Sequence, residues 1–254
     1  NEEVRAVLRS GDSGSGKFLA QDVKSLPHPV RRYFHYALKD GRPLVGTVRI
    51  AMNGAFKMKE TDQWIPFEAK QYLSTKEPSY IWHATLRPLP YLWTEARDKF
   101  YQGRGSSENR LLSAMPISYD AGREADLSAL ARFLTEAPWF PTALLPSENL
   151  EWQPVDSRSA KAVLRYNGYT VSAIFTMNER GEYLAVRWRP ATLFTEFGPW
   201  VYSASGVPTR GVLRGPDSTG YYTPLPNGNY ALTRPKSRSF TLGLFDAASG
   251  VITD

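Results

Sequence analysis

From Leu44 to about Ile117 the helical period gives way to extended runs, and these are parted only by short stretches holding Pro or Gly. Val48, Ile50 and Met52 alternate with Thr47, Arg49 and Ala51, and further extended runs follow at 64–75, 79–87 and 92–101. Side chains of a strand point to opposite faces in turn, so this pattern reads as half-buried strands. A parallel pair needs a crossover of about a dozen residues or more, and none of these gaps has room for one. The pairing is therefore expected to be antiparallel. A second set begins after Trp152: Ala162, Leu164 and Tyr166 run into Asn167-Gly168, a strong two-residue hairpin signal, and Val171, Ala173, Phe175 and Met177 lead out. Glu179-Arg180-Gly181 makes the next turn, after which Leu184, Val186 and Trp188 alternate with Ala185, Arg187 and Arg189.

Three segments have the helical period instead. Residues 2–9 place Val4, Val7 and Leu8 on one face, and Val30, Tyr33, Phe34, Ala37 and Leu38 form an apolar stripe behind Pro29. Residues 122–137 place Leu127, Leu130, Ala131, Leu134 and Ala137 at helical spacing, and Pro138 ends the run. Trp139-Phe140 follow, then Pro141 opens a second short helix over 142–145, closed by Pro146. The expected fold is mainly β within the α+β class. A single curved antiparallel sheet or half-barrel wraps a central helical segment and carries an N-terminal amphipathic helix. Residues 1–25 read as that helix and a flexible loop, and 26–254 as one β-rich domain with a helical insert at 122–146. Beyond Pro190 the chain is richer in Gly and Pro, with strands expected at 207–214 and 239–245.

Composition removes several functions. The 254 residues contain no cysteine, which excludes disulfides, thiolate metal sites and cysteine nucleophiles. The net charge of +6 is modest, and no Lys/Arg run exceeds pairs such as Arg31-Arg32, so a scattered solvated surface is expected and no nucleic-acid partner. Arg187-Trp188-Arg189 would suit stacking on bases, but strand alternation turns Trp188 inwards and the arginines outwards. No apolar window reaches the ~18 residues of a membrane-spanning helix. The chain opens Asn1-Glu2-Glu3 without Met, which is compatible with a leader or anchor upstream.

Gly11-Asp-Ser-Gly-Ser-Gly16-Lys17 matches the spacing of a phosphate-binding loop. However, Phe18 stands where a metal-ligating hydroxyl belongs, and the preceding segment reads as helix rather than strand. An exposed loop without phosphate affinity is expected. His28, His35 and His83 show no metal-ligand spacing, no serine elbow is present, and no metal or cofactor is expected. Glu95 and Arg97 share one strand face with Asp98 on the other, a pattern that surface ion pairing explains. Glu136 differs, because it lies in the least polar helical stretch just before the proline corner. A carboxylate there must meet a donor, reach water, or be neutralised by desolvation. It is expected to be at least half buried and hydrogen-bonded, as a structural group or as one lining a pocket.

The segments LPHPVRRYFHYAL, DGRPLVGTVRIAMNGAF and RFLTEAPWFPTALLPSENLEWQPVDSRSAKAVL resemble a bacterial family of unknown function, DUF6544. The resemblance runs from about Leu26 to Arg189, and its most specific part is Glu136–Pro146 with Trp152 and Asp156. It is similar in pattern to lipoprotein-carrier-like half-barrels, in which a curved antiparallel sheet leaves an apolar groove around helices. The resemblance implies a fold and a membrane neighbourhood, and no established activity.

The leading expectation is a non-catalytic binding module for a lipid or other apolar or amphipathic small molecule near the bacterial cell envelope. A membrane surface is an expected partner. Glu136, Trp139, Phe140, Thr142, Trp82, Trp93 and Trp152 are the candidate ligand-binding residues. Two alternatives stand beside it: an enzyme with Glu136 as general acid or base, and a structural envelope protein with a filled core. The sequence leaves a cytoplasmic location and any oligomeric state open.

Overall fold

The computed structural model describes residues 2–12, 16–56 and 65–188, together with the backbone of five further strands between Val201 and Leu242. Helices α1 (Glu2–Asp12) and α2 (His28–Ala37) precede the sheet. The first meander has six antiparallel strands, β1 (Thr47–Phe56), β2 (Ile65–Ser74), β3 (Ser79–Leu89), β4 (Leu92–Tyr101), β5 (Arg104–Leu111) and β6 (Met115–Ala121). Each pairs with the strand just before it in sequence. Helix α3 (Arg123–Glu136) follows, then two 3-10 turns, Ala137–Trp139 and Pro141–Leu144, around the proline corner. A second antiparallel meander holds β7 (Leu150–Pro154), β8 (Ser159–Tyr166), β9 (Tyr169–Met177) and β10 (Tyr183–Trp188). In strand order the five strands after Val201 stand between β10 and β1, while β6 and β7 are the two ends, so the sheet is not closed into a barrel.

Helix α3 is the element the two meanders share. It packs on β4–β6 on one side and on β9–β10 on the other. Its start is fixed by Asp126, a fully buried carboxyl group that accepts the Gly105 N–H at 2.6 Å and the Tyr169 hydroxyl at 2.6 Å, with Arg104 at 3.3 Å. A charge taken out of water needs such partners, and here they come from both meanders. Gly105 lets the helix approach, since a Cβ there would stand 2.3 Å from the Ala125 carbonyl oxygen.

The core lies between α3 and the sheet. Val48, Leu73, Tyr80 and Phe100 form one cross-strand row of the inner face, and Leu130, Leu134, Phe140 and Leu144 meet it from the helical side. Each fully buried side chain of this size contributes about 1.5–3 kcal/mol. Towards the second meander an aromatic stack continues the core, with ring centroids 5.1 Å apart for Trp152–Phe175, 5.5 Å for Phe175–Tyr183 and 4.2 Å for Tyr183–Tyr33. Tyr33 brings α2 into it, and Val30 and Phe34 of the expected stripe are buried beside it.

Helix α1 covers part of the outer face. Val7 is buried, and Glu3 pairs with Lys99 at 2.9 Å and with Arg97, both on the outer side of β4. This corrects the reading of Gly11–Lys17 as one exposed loop. Gly11 is the buried last turn of α1, and a Cβ on it would stand 2.2 Å from the Gly46 carbonyl oxygen. The glycine serves helix–strand contact, and Lys17 sits in an isolated bridge to Pro43. The side chains of Met52, Arg187 and Trp188, and Arg189 as a whole, lie outside the described residues, so their expected directions do too. Strands Gly211–Gly215 and Ser237–Leu242 overlap the runs expected at 207–214 and 239–245, whose residues 207–210 and 243–245 lie outside the described residues.

Candidate functional site

Register places Gln71, Trp82, Asp98 and Ser107 in one row across β2 to β5 on the inner face. The last turn of α3 lies over this row. Glu136 is 5% exposed; its Oε2 accepts the Gln71 Nε2–H at 2.7 Å and its Oε1 accepts the Arg132 Nε–H at 2.8 Å. Arg132 stands four residues before Glu136, one helical turn away, so the pair shares a helix face. The guanidinium also donates through Nη1 to Asp98 Oδ2 at 2.6 Å, and Ser107 Oγ donates to Asp98 Oδ1 at 2.6 Å. Its central carbon lies 5.2 Å from the ring centroids of both Tyr80 and Trp82. The result is one cation held between two carboxyl groups and two aromatic faces.

The electrostatics follow from that enclosure. Burial works against the Arg132 charge, but the carboxyl groups of Glu136 and Asp98 more than offset it and hold its pKa well above the ordinary value. Tyr80 is driven upwards, chiefly by burial, so its hydroxyl stays protonated across the physiological range. Gln71 is fully buried, and its Oε1 has no partner among the described residues. Chemically this is a clamp that fastens α3 to β2 and β4. Both oxygens of Glu136 are already bonded, so the carboxyl group is poorly placed to exchange a proton with a substrate.

Beyond the polar row the same face becomes apolar again. Ala69, Ala84 and Ala96 lie side by side on β2, β3 and β4, with Phe67, Trp82 and Leu86 packed around them as a cluster separate from the main core. The next row is Phe67, Leu86, Thr94 and Leu111. The inner face thus has a main core, a polar belt, and then an apolar shelf of small side chains.

The structure brings together Glu136 and Trp82 of the residues named from sequence, with Arg132 between them. Thr142 stands at the corner that follows, its Oγ1 accepting the Val45 N–H at 3.3 Å, and Trp139 there is half-buried. Phe140 and Trp152 fill the core: Phe140 is fully buried 5.5 Å from Phe133, and the Trp152 indole donates to the Leu144 carbonyl at 2.9 Å. Trp93 is elsewhere, donating to Ser113 Oγ at 3.0 Å between the β3–β4 and β5–β6 turns. Sequence reasoning missed Gln71, Tyr80 and Arg132, and misread Asp98, which is half-buried against Arg132 rather than part of a surface pair. Glu95 and Arg97 also pair apart, Glu95 with His83 at 3.3 Å and Arg97 with Glu3. Two signals were available: a helical Arg four residues before Glu136, and an acidic residue on the inward parity of β4.

Among the described residues no group of His, Asp and Glu is arranged to hold a metal ion, and no helix is long and apolar enough to cross a membrane. His28, His35 and His83 are all exposed. The model of a family of unknown function, DUF6544, matches residues 16–219. No curated protein and no solved structure matches the chain.

Proposed function

As the chain belongs to that family, we propose from its geometry that it is a non-catalytic binding module for an amphipathic, lipid-like ligand at or near the bacterial cell envelope. The observation that carries this reading is the order of rows on the inner face. Beyond a belt of Gln71, Asp98 and Arg132 stands a second apolar cluster, in which buried Ala69, Ala84 and Ala96 are overlain by half-buried Phe67, Trp82 and Leu86. A belt beside a shelf suits a ligand with a polar head and an apolar body. The shelf of Ala69, Ala84 and Ala96 supplies a low floor, Phe67 and Leu86 supply apolar walls, and Trp82 spans the two zones. An enzyme using Glu136 has against it that both carboxyl oxygens are engaged.

The test is native mass spectrometry of the freshly purified full chain, read for a copurified amphipath. Wild type is expected to carry one, and Leu86→Asp, at a half-buried shelf position, to lose it while keeping its fold by circular dichroism. An unliganded wild type that also fails to bind a fluorescent fatty acid would overturn the proposal.

A further inference from the structure

Eight large hydrophobic side chains are exposed among the described residues, and six of them sit on two adjacent hairpins at one end of the first meander. Leu89 and Tyr91 are on the β3–β4 hairpin, with Tyr91 92% exposed; Leu112, Met115, Ile117 and Tyr119 are on the β5–β6 hairpin. Leu89 pairs with Leu92 and Leu111 with Met115, which closes each hairpin at the same end of the sheet. The two tips are also joined to each other. The Leu112 N–H donates to the Trp93 carbonyl at 2.9 Å, the Trp93 indole donates to Ser113 Oγ, and Ser113 Oγ donates to Glu95 Oε1 at 2.8 Å. An exposed apolar group on such a braced frame marks an interaction surface.

We propose that these two hairpin tips are a docking surface for a lipid bilayer containing anionic phospholipid. Three features favour a bilayer over another protein. Tyr91 and Leu112 stand in the two turns with Leu89 and Met115 at the strand ends beside them, a convex shape suited to entering a soft interface, while Ile117 and Tyr119 continue the apolar surface along β6. Tyr91 and Tyr119 are of the amphipathic type that settles at headgroup level. Pro116 removes a backbone donor from the open edge strand β6, which makes addition of a foreign strand there less favourable. The charge is complementary as well. From Leu86 to Thr94 the sole charged residue is Arg87, and from Asn109 to Tyr119 it is Arg110. Among the described residues, Glu95 behind the tips is engaged by Ser113 and His83, Glu108 pairs with Arg110 at 2.7 Å, and Asp120 follows Tyr119 on the part of β6 away from its turn, which leaves Arg87 as the cation of these tips outside those pairs. The last row of the apolar shelf, Phe67, Leu86, Thr94 and Leu111, lies at this same end. The docking proposal stands without the ligand reading, since a bilayer contact needs no bound amphipath.

The experiment is cosedimentation of the full chain with sucrose-loaded vesicles, either phosphatidylcholine alone or with phosphatidylglycerol, with gel filtration of the same samples. Wild type is expected to sediment with the anionic vesicles and much less with the neutral ones. Leu89→Asp/Tyr91→Asp and, independently, Ile117→Asp are expected to lower partitioning about tenfold or more by removing interfacial apolar area. Val155→Asp, an exposed apolar site after β7, serves as control and is expected to bind as wild type. Absence of wild-type binding, tip variants that bind like wild type, or a control that falls with them would each overturn the proposal. So would a wild-type dimer that the tip variants dissolve without any vesicle effect, because the tips would then join two copies of this chain.

Discussion

Glu136 is held from two directions, by Gln71 on β2 and by Arg132 on its own helix, so its replacement tests whether the carboxyl group is a fastener. Glu136→Gln keeps the shape but removes the charge, leaving Arg132 to Asp98 alone and setting an amide against the amide of Gln71. Loss of one buried charge-assisted hydrogen bond is expected to cost about 1–3 kcal/mol, read as a lower urea midpoint at unchanged slope. A variant as stable as wild type would remove the fastener reading. The burial of Glu136 was legible in the sequence because a lone carboxylate stood out among Leu130, Leu134 and Ala137. The rest of the clamp was not, for a physical reason: Gln71, which bonds Glu136, and Asp98, which bonds Arg132, belong to strands 65 and 38 positions away from Glu136, and only the folded register brings them under the helix. Arg132 was closer to hand, but a basic residue one turn from an acidic one is so common on solvated helix faces that the pair does not announce burial.

At the scale of elements, α1 is attached by charge as well as by Val7. The Glu3 carboxyl group is held below the ordinary value of 4.5, first by its hydrogen bond from Lys99 and further by the charges of Arg97 and Lys99, which outweigh partial burial. A carboxyl group whose folded pKa is lowered contributes stability that is complete above its unfolded value and lost as pH falls through the folded one. Wild type is therefore expected to keep α1 protected from hydrogen exchange at pH 6 and to lose that protection on acidification below about pH 4.5. In Glu3→Gln the protection at pH 6 is already reduced and changes little with acid. Equal acid sensitivity of the two chains would show that other carboxylates govern the attachment. Helix α2 and strand β9 were the most legible because each leaves a period to read: Val30, Tyr33 and Phe34 form a buried stripe, and Val171, Ala173, Phe175 and Met177 are buried in alternation with half-buried neighbours. Strand β6 was not, since it is exposed along its whole length, and β5, with Ser106 to Asn109 only partly covered, has no apolar alternation. Edge strands take their conformation from the neighbour they pair with, and the sequence records that only weakly.

For the whole molecule, the antiparallel class followed from gaps too short for crossovers, whereas the place of α3 between two meanders rests on Asp126, a buried group whose partners Gly105 and Tyr169 lie on opposite sides of it in sequence. The order of the meanders has a further bearing on how the chain comes to be folded. From β1 to β6 every new strand pairs with the one just made, so the entropy of closing each loop is small and no distant segment is awaited. Helix α3 comes next, already facing a finished surface on β4 to β6, and β7 to β10 then assemble against its free side. Pulse-labelling hydrogen exchange during refolding is expected to find amides of β2 to β5 protected before those of β8 and β9; simultaneous protection would refute that order. The exception is β1, whose far edge pairs with Ser237–Leu242, nearly 190 residues later (241 minus 53 is 188). A chain emerging residue by residue thus has the first strand of its sheet waiting for one made nearly 190 residues later, and until Ser237–Leu242 arrives that edge is where a chaperone or a neighbouring nascent chain would find an unpaired backbone.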